Sequence, residues 1–115
     1  MSFSIELAAP AKVNLGLRIV GRRADGYHEL ESLFAPLDLC DAIALRIASA
    51  RAAEVTIAIA GDAAGAPSGD DNLAVRAARA FLAKSGIAAR VVIDLTKRTP
   101  VAAGLGGGSS DAAAV

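Results

Sequence analysis

Apolar residues recur along this chain in two rhythms, and the switches between them mark its elements. Val13, Leu15, Leu17 and Ile19 alternate with Asn14, Gly16 and Arg18, the period of two that gives a strand one apolar face. Ile5 and Leu7 belong to a preceding strand, broken near Pro10. Arg22 to Gly26 reads as a turn, because Asp25-Gly26 tolerates positive φ cheaply. His28 to Leu37 is an extended return segment, ended by Pro36. Ile43/Leu45/Ile47 and Val55/Ile57/Ile59 alternate cleanly and predict a hairpin across residues 48–53. Residues 61–71 are a loop rich in Gly, Asp, Pro and Ser. Asn72 or Asp71 then caps a helix that runs to about Ser85, with Gly86 just past its end. Leu73, Ala77, Ala80 and Phe81 form its expected buried face, and Arg76, Arg79 and Lys84 its wet one. Val91, Ile93 and Leu95 make one more strand, ending near Thr96.

Composition narrows what such a chain can do. With 115 residues, 54% of them hydrophobic, it suits one domain with a real core. Twelve basic and twelve acidic side chains cancel, so no net field recruits nucleic acid or an anionic membrane. Aromatic residues at 3% argue against a base-stacking surface. The single cysteine, Cys40, excludes an internal disulfide and reads as a buried structural thiol. No apolar run reaches membrane-spanning length and no secretory leader pattern opens the chain, so a reducing, cytoplasmic setting is expected.

The chemistry concentrates in Pro100-Val101-Ala102-Ala103-Gly104-Leu105-Gly106-Gly107-Gly108-Ser109-Ser110. Glycine lets backbone approach a ligand with no Cβ in the way. Ser109 or Ser110 offers a helix cap, and Asp111-Ala112-Ala113-Ala114 continues with good helix formers. A glycine loop feeding a helix start gathers free N–H groups at the positive end of the helix dipole, an anion site that phosphate suits. A flexible Gly/Ser linker shares this composition, but Leu105 interrupts the run and Pro100 stiffens its entrance. A Walker A loop needs a lysine after the last glycine, and none follows. A dinucleotide fingerprint needs glycine where Ser109 stands. This is a phosphate loop of another kind.

Three separated segments, Pro10 to Leu17 with Lys12 and Asn14, Arg23 to Leu30 with Asp25-Gly26-Tyr27-His28, and Pro100 to Ser110, together resemble the 4-diphosphocytidyl-2-C-methyl-D-erythritol kinases of the GHMP superfamily. The resemblance runs over essentially the whole chain. It implies an α+β fold, ribosomal-protein-S5-domain-2-like, with a mixed or antiparallel sheet and helices packed on one face. It also implies transfer of the ATP γ-phosphate to the 2-hydroxyl of the cytidine-diphosphate-linked acceptor. Pro100 to Ser110 would wrap the phosphates. Mg²⁺ would accompany ATP, and a loop serine hydroxyl could reach it; no residue stands out as a metal ligand. Lys12 would be catalytic, sitting beside the acceptor hydroxyl, although a solvated strand lysine is the ordinary reading. Asn14 would lie by the substrate, and Tyr27 and His28 would hold the cytosine. Asn72 and Lys97 align near the ATP base; helix cap and surface charge are their ordinary roles. Asp111 is left a structural role.

The same resemblance makes this chain the leading, incomplete part of a two-domain kinase. The proton-accepting aspartate, the second cytosine-stacking aromatic and the C-terminal domain lie beyond Val115, so the piece alone should be inactive. The expected partners are ATP and the small acceptor, with no nucleic acid and no membrane, in a monomer or weak homodimer. Two alternatives remain: another superfamily acceptor such as homoserine or mevalonate, or a non-catalytic S5-like binding module.

Overall fold

Core and surface positions alternate without a slip from residue 89 to 97, and this segment is the strand on which the fold is hung. A computed structural model of the chain describes residues 2–22, 24, 28–61, 65–101 and 104–115, and their side chains except at 17–20, 22 and 28–32. The expected Arg22–Gly26 turn falls mainly outside the described residues, as do Tyr27, Ala102 and Ala103. The element order is β1 (Ser2–Arg22), β2 (His28–Ser49), β3 (Glu54–Gly61), α1 (Leu73–Ser85), β4 (Ala89–Lys97) and α2 (Gly107–Ala114). They form one mixed four-stranded sheet of order β1-β2-β4-β3. β1 with β2 and β2 with β4 are antiparallel, and β3 with β4 is parallel.

Two expectations about strands are corrected. The 43–47 and 55–59 segments are not a hairpin: β4 lies between them, pairing Ile43 with Leu95 on one side and Ile57 with Ile93 on the other. Alternation specifies a strand but not its partner, and the parallel β3–β4 pair needs the crossover that α1 supplies. Nor does Pro10 end a strand. β1 runs through it, and β2 runs through Pro36, with a register shift where Pro10 pairs with Cys40 and Lys12 with Pro36. β1 is an edge strand, and an irregular pairing accommodates residues that have no N–H to donate.

Both helices cover one face of the sheet. Ile43, Leu45, Val55, Val91, Ile93 and Leu95 pack there against Ala74, Val75, Ala78 and Leu82 of α1. The ends of α1 are those expected: the Asn72 side chain accepts from the Ala74 N–H, and Gly86 closes the helix at φ 71°. Its buried face is not. Leu73 is 43% and Phe81 67% exposed, Ala80 is exposed and Ala77 half-buried. The helix lies on the sheet along the row of Ala74, Ala78 and Leu82, where the alanines permit close approach, and Leu73 and Phe81 share one flank of that row. Arg76, Arg79 and Lys84 are exposed as expected, and Cys40 is half-buried.

Candidate functional site

The loop after β4 is fixed from below by a buried ion cluster. Lys97 continues the inward series Val91, Ile93, Leu95, and so points into the core with 4% exposure. Its Nζ donates to Asp41 Oδ2 at 2.6 Å and to Asp111 Oδ2 at 2.9 Å. Asp41 Oδ1 accepts from the backbone N–H groups of Arg98 (2.7 Å) and Thr99 (2.9 Å). Burial alone would raise the Asp41 carboxyl, but hydrogen bonds from Asp111, Lys97 and these two amides outweigh it and hold it at about 2. Burial pushes the Asp111 carboxyl up, its hydrogen bond with Asp41 adds to this, and despite Lys97 it reaches about 6. Burial pulls the Lys97 ammonium down, yet the two carboxylates raise it above its ordinary value.

The expected surface position of Lys97 is therefore corrected. Asp111 has the structural role expected of it, while Asp41 had escaped notice. A signal for it exists in the sequence: Asp41 precedes Ile43 and Leu45 at the same period of two by which Lys97 follows Ile93 and Leu95. Opposite charges at matching ends of two apolar alternations can meet in the core only as a pair.

Above this cluster the loop turns into α2, whose N-cap is Gly106, not Ser109 or Ser110. Gly106 has φ 68°, a left-handed conformation unfavourable to side chains, and a Cβ on it would lie 2.9 Å from Lys12 Cε. The helix thus starts three or four residues earlier than expected, which places both serines within its first turns. Ser110 N–H already donates to Gly106 O. The preceding amides, of Gly107, Gly108 and Ser109, occupy the positions that an α-helix leaves without internal acceptors.

Lys12 binds the loop twice. Its backbone N–H donates to Leu105 O and its Nζ to Gly104 O, both at 2.9 Å. The ammonium also lies 5.6 Å from the centre of the Phe34 ring. The glycine turn separates two cavities. One, of about 320 Å³, is lined by Pro67, Asp71, Asn72, Leu73, Lys97 and Asp111 together with loop residues Pro100, Val101 and 104–109. The other, about 570 Å³ and more open, is lined by Pro10, Lys12, Phe34 and Ser110. Gly104, Gly106 and Ser109 line both. Asn72 reaches the first cavity as a helix cap whose amide also donates to Pro67 O at 2.9 Å. Asn14 lies on β1 beyond Lys12, opposite Phe34, and is exposed. His28 begins β2, paired with Arg22. Among the described residues no group of three or more His, Cys, Asp or Glu side chains could hold a metal ion.

Residues 72–115, which hold α1, β4, the glycine turn and α2, match the GHMP kinases N terminal domain. Within the GHMP kinases the similarity is narrower. The chain is 48% identical over 112 residues to the 4-diphosphocytidyl-2-C-methyl-D-erythritol kinase of Geobacter metallireducens, covering 97% of this chain and 38% of that protein. It is 54% identical over 107 residues to the kinase of the same name from an Anaeromyxobacter species, covering 93% and 33%. A crystal structure of 4-(cytidine 5'-diphospho)-2C-methyl-D-erythritol kinase matches with a TM-score of 0.73 at 48% identity, covering 95% of this chain and 37% of that one. The chain thus spans little more than a third of the length of these relatives.

Proposed function

We propose that this chain is the leading part of a kinase that moves the γ-phosphate of ATP onto the 2-hydroxyl of 4-diphosphocytidyl-2-C-methyl-D-erythritol, a step toward isoprenoid precursors. The observation that carries this reading is the shared wall: Gly104, Gly106 and Ser109 face a nucleotide-sized cleft on one side and the Lys12 cavity on the other. Phosphoryl transfer needs a donor and an acceptor aligned across one point of charge stabilisation, and little covalent chemistry from the protein.

In this reading the amides of 107–109 and the dipole of α2 receive the donor's phosphates. Gly106, lacking a Cβ, leaves the Lys12 chain room to lie along the turn. Lys12 exchanges its bond to Gly104 O for the acceptor side of the reaction, where its charge offsets what develops on the transferred group. Asn14 and His28 approach the acceptor from the same long hairpin, and Tyr27 completes the cytosine contact. Asn72 and Lys97 shape the base end of the nucleotide cleft. Magnesium, when bound, would neutralise phosphate charge. The residues present fit an ion carried mainly by phosphates and water, with Ser109 or Ser110 the nearest hydroxyls.

The proton acceptor and the rest of the acceptor site belong to the C-terminal portion of the whole protein. No helix of the described residues is long and apolar enough to cross a membrane, and we place the whole enzyme in the cytoplasm as a monomer or weak homodimer. ADP release by the whole protein, measured over a panel of cytidylylated methylerythritol, homoserine and mevalonate, tests the reading. Turnover with homoserine or mevalonate but not with the cytidylylated acceptor would sink it. His28→Ala should raise KM for that acceptor and leave KM for ATP unchanged.

A further inference from the structure

We propose that Asp41 is a positioning residue for the phosphoryl donor: through Lys97 and Asp111 it fixes the first turn of α2, and hence the place where the loop amides meet phosphate. The inference rests on the kinase reading of that site. Asp41 does not line the nucleotide cleft, whereas Lys97 and Asp111 do. Yet one carboxylate holds both ends of the glycine loop. Its Oδ1 takes the amides of Arg98 and Thr99, the two residues before Pro100. Its Oδ2 takes the Lys97 ammonium, which in turn grips Asp111 inside α2.

The first residue of the helix rests on this assembly. A Cβ on Gly107 would lie 2.8 Å from Thr99 Cγ2 and 3.4 Å from Lys97 Nζ. The strand end, the ammonium and the helix start are therefore in contact, and a shift of one displaces the others. A buried ion cluster is a weak source of net stability, because desolvation offsets most of the attraction. What it supplies is fixed geometry, since charge-assisted hydrogen bonds are short and directional. Misplacing a phosphate-binding turn by about an ångström is costly to a reaction that depends on alignment.

The test uses the whole protein. Asp41→Asn keeps an oxygen for the Arg98 and Thr99 amides but turns an NH₂ toward the ammonium. It should raise KM for ATP on the order of tenfold and leave KM for the acceptor unchanged. Lys97→Met should do the same, and the double variant should be no worse than Lys97→Met alone, because both act through one linkage. Melting-temperature shifts with a non-hydrolysable ATP analogue should report the same weakening without turnover. A lowered melting temperature with KM for ATP within about twofold of wild type would make Asp41 merely structural and overturn the proposal. Additive effects of the two substitutions would do so too, since Lys97 would then touch nucleotide independently. If Asp41→Asn does not fold, Asp111→Ala should reproduce the rise, and Asp111→Asn, which keeps an acceptor for Lys97, should raise KM by less. Equal KM values for the two would overturn the proposal. Wild-type turnover judges the kinase reading separately: an enzyme that binds the analogue but phosphorylates no acceptor leaves the linkage measurable.

Discussion

The sheet has two halves that are treated differently. Residues 41–47 of β2, with β3 and β4, lie beneath α1 and α2, and their inward side chains are buried or half-buried. The hairpin formed by the end of β1 past Lys12 and the start of β2 reaches past that cover and leaves Leu15, Leu33 and Phe34 at 65%, 64% and 60% exposure. The covered half carries the cleft proposed for the nucleotide, floored by the Lys97 ion cluster. The bare half carries Lys12, Asn14 and His28. Under the proposed kinase reading, these residues supply more of the donor side than of the acceptor side.

Substitutions can break this comparison, beginning with the largest effect. Leu82→Ala removes a core side chain under α1 and should cost about 2–5 kcal/mol in urea unfolding of the whole protein. Lys12→Met should lower kcat by about 10²–10³, the usual loss for one electrostatic group at a transferring centre, with little change in melting temperature. A comparable fall in ATP affinity instead would make Lys12 a loop clamp alone. Gly61 ends β3 at φ 80°, opposite Lys97, and a Cβ there would fall on the Lys97 carbonyl oxygen. Gly61→Ala should therefore cost about 1–3 kcal/mol, read as a lowered melting temperature.

Acidity provides a smaller, signed test. Asp41, at about 2 against an ordinary 3.8, stabilises the fold fully above pH 3.8, and this is lost as pH falls toward 2. Asp111, raised to about 6, acts oppositely: its contribution is full below pH 3.8 and is lost as pH rises through 6. The melting temperature should thus fall between pH 4.5 and 7 by more in wild type than in Asp111→Asn. Equal slopes would show that Asp111 does not titrate in that window. Smallest of all, Phe81→Ala should change stability by less than about 0.5 kcal/mol, as exposed sites do. A loss near that of Leu82→Ala would reveal an element of the whole protein seated on that side of the helix.

What the sequence conveyed divides along the same line. The limits of α1 were legible because Asn72 and Gly86 are local chemical signals that need no knowledge of the rest of the fold. The glycine loop was legible for the same reason. The pairing of β3 was not, since its neighbour is chosen by a crossover 36 residues away, between Glu54 and Arg90. The buried stripe of α1 lies one residue further on than expected, at 74, 78 and 82 and not at 73, 77 and 81, because apolar residues occupy both rows and periodicity alone does not choose between them. A cap was expected at Ser109 or Ser110, and not at Gly106, because a side-chain acceptor is the commoner cap. A side chain at position 106, though, would crowd Lys12. Asp41 went unseen because its partners lie far along the chain, and its one local cue was a charge in step with an apolar alternation.

The bond between Lys12 and Gly104 joins residues 92 apart in the chain. Closing so long a loop is entropically slow and gains nothing until the strands between are paired. The glycine turn should therefore be among the last parts to take shape as the protein folds. Capture of nucleotide would then certify that every earlier step has succeeded.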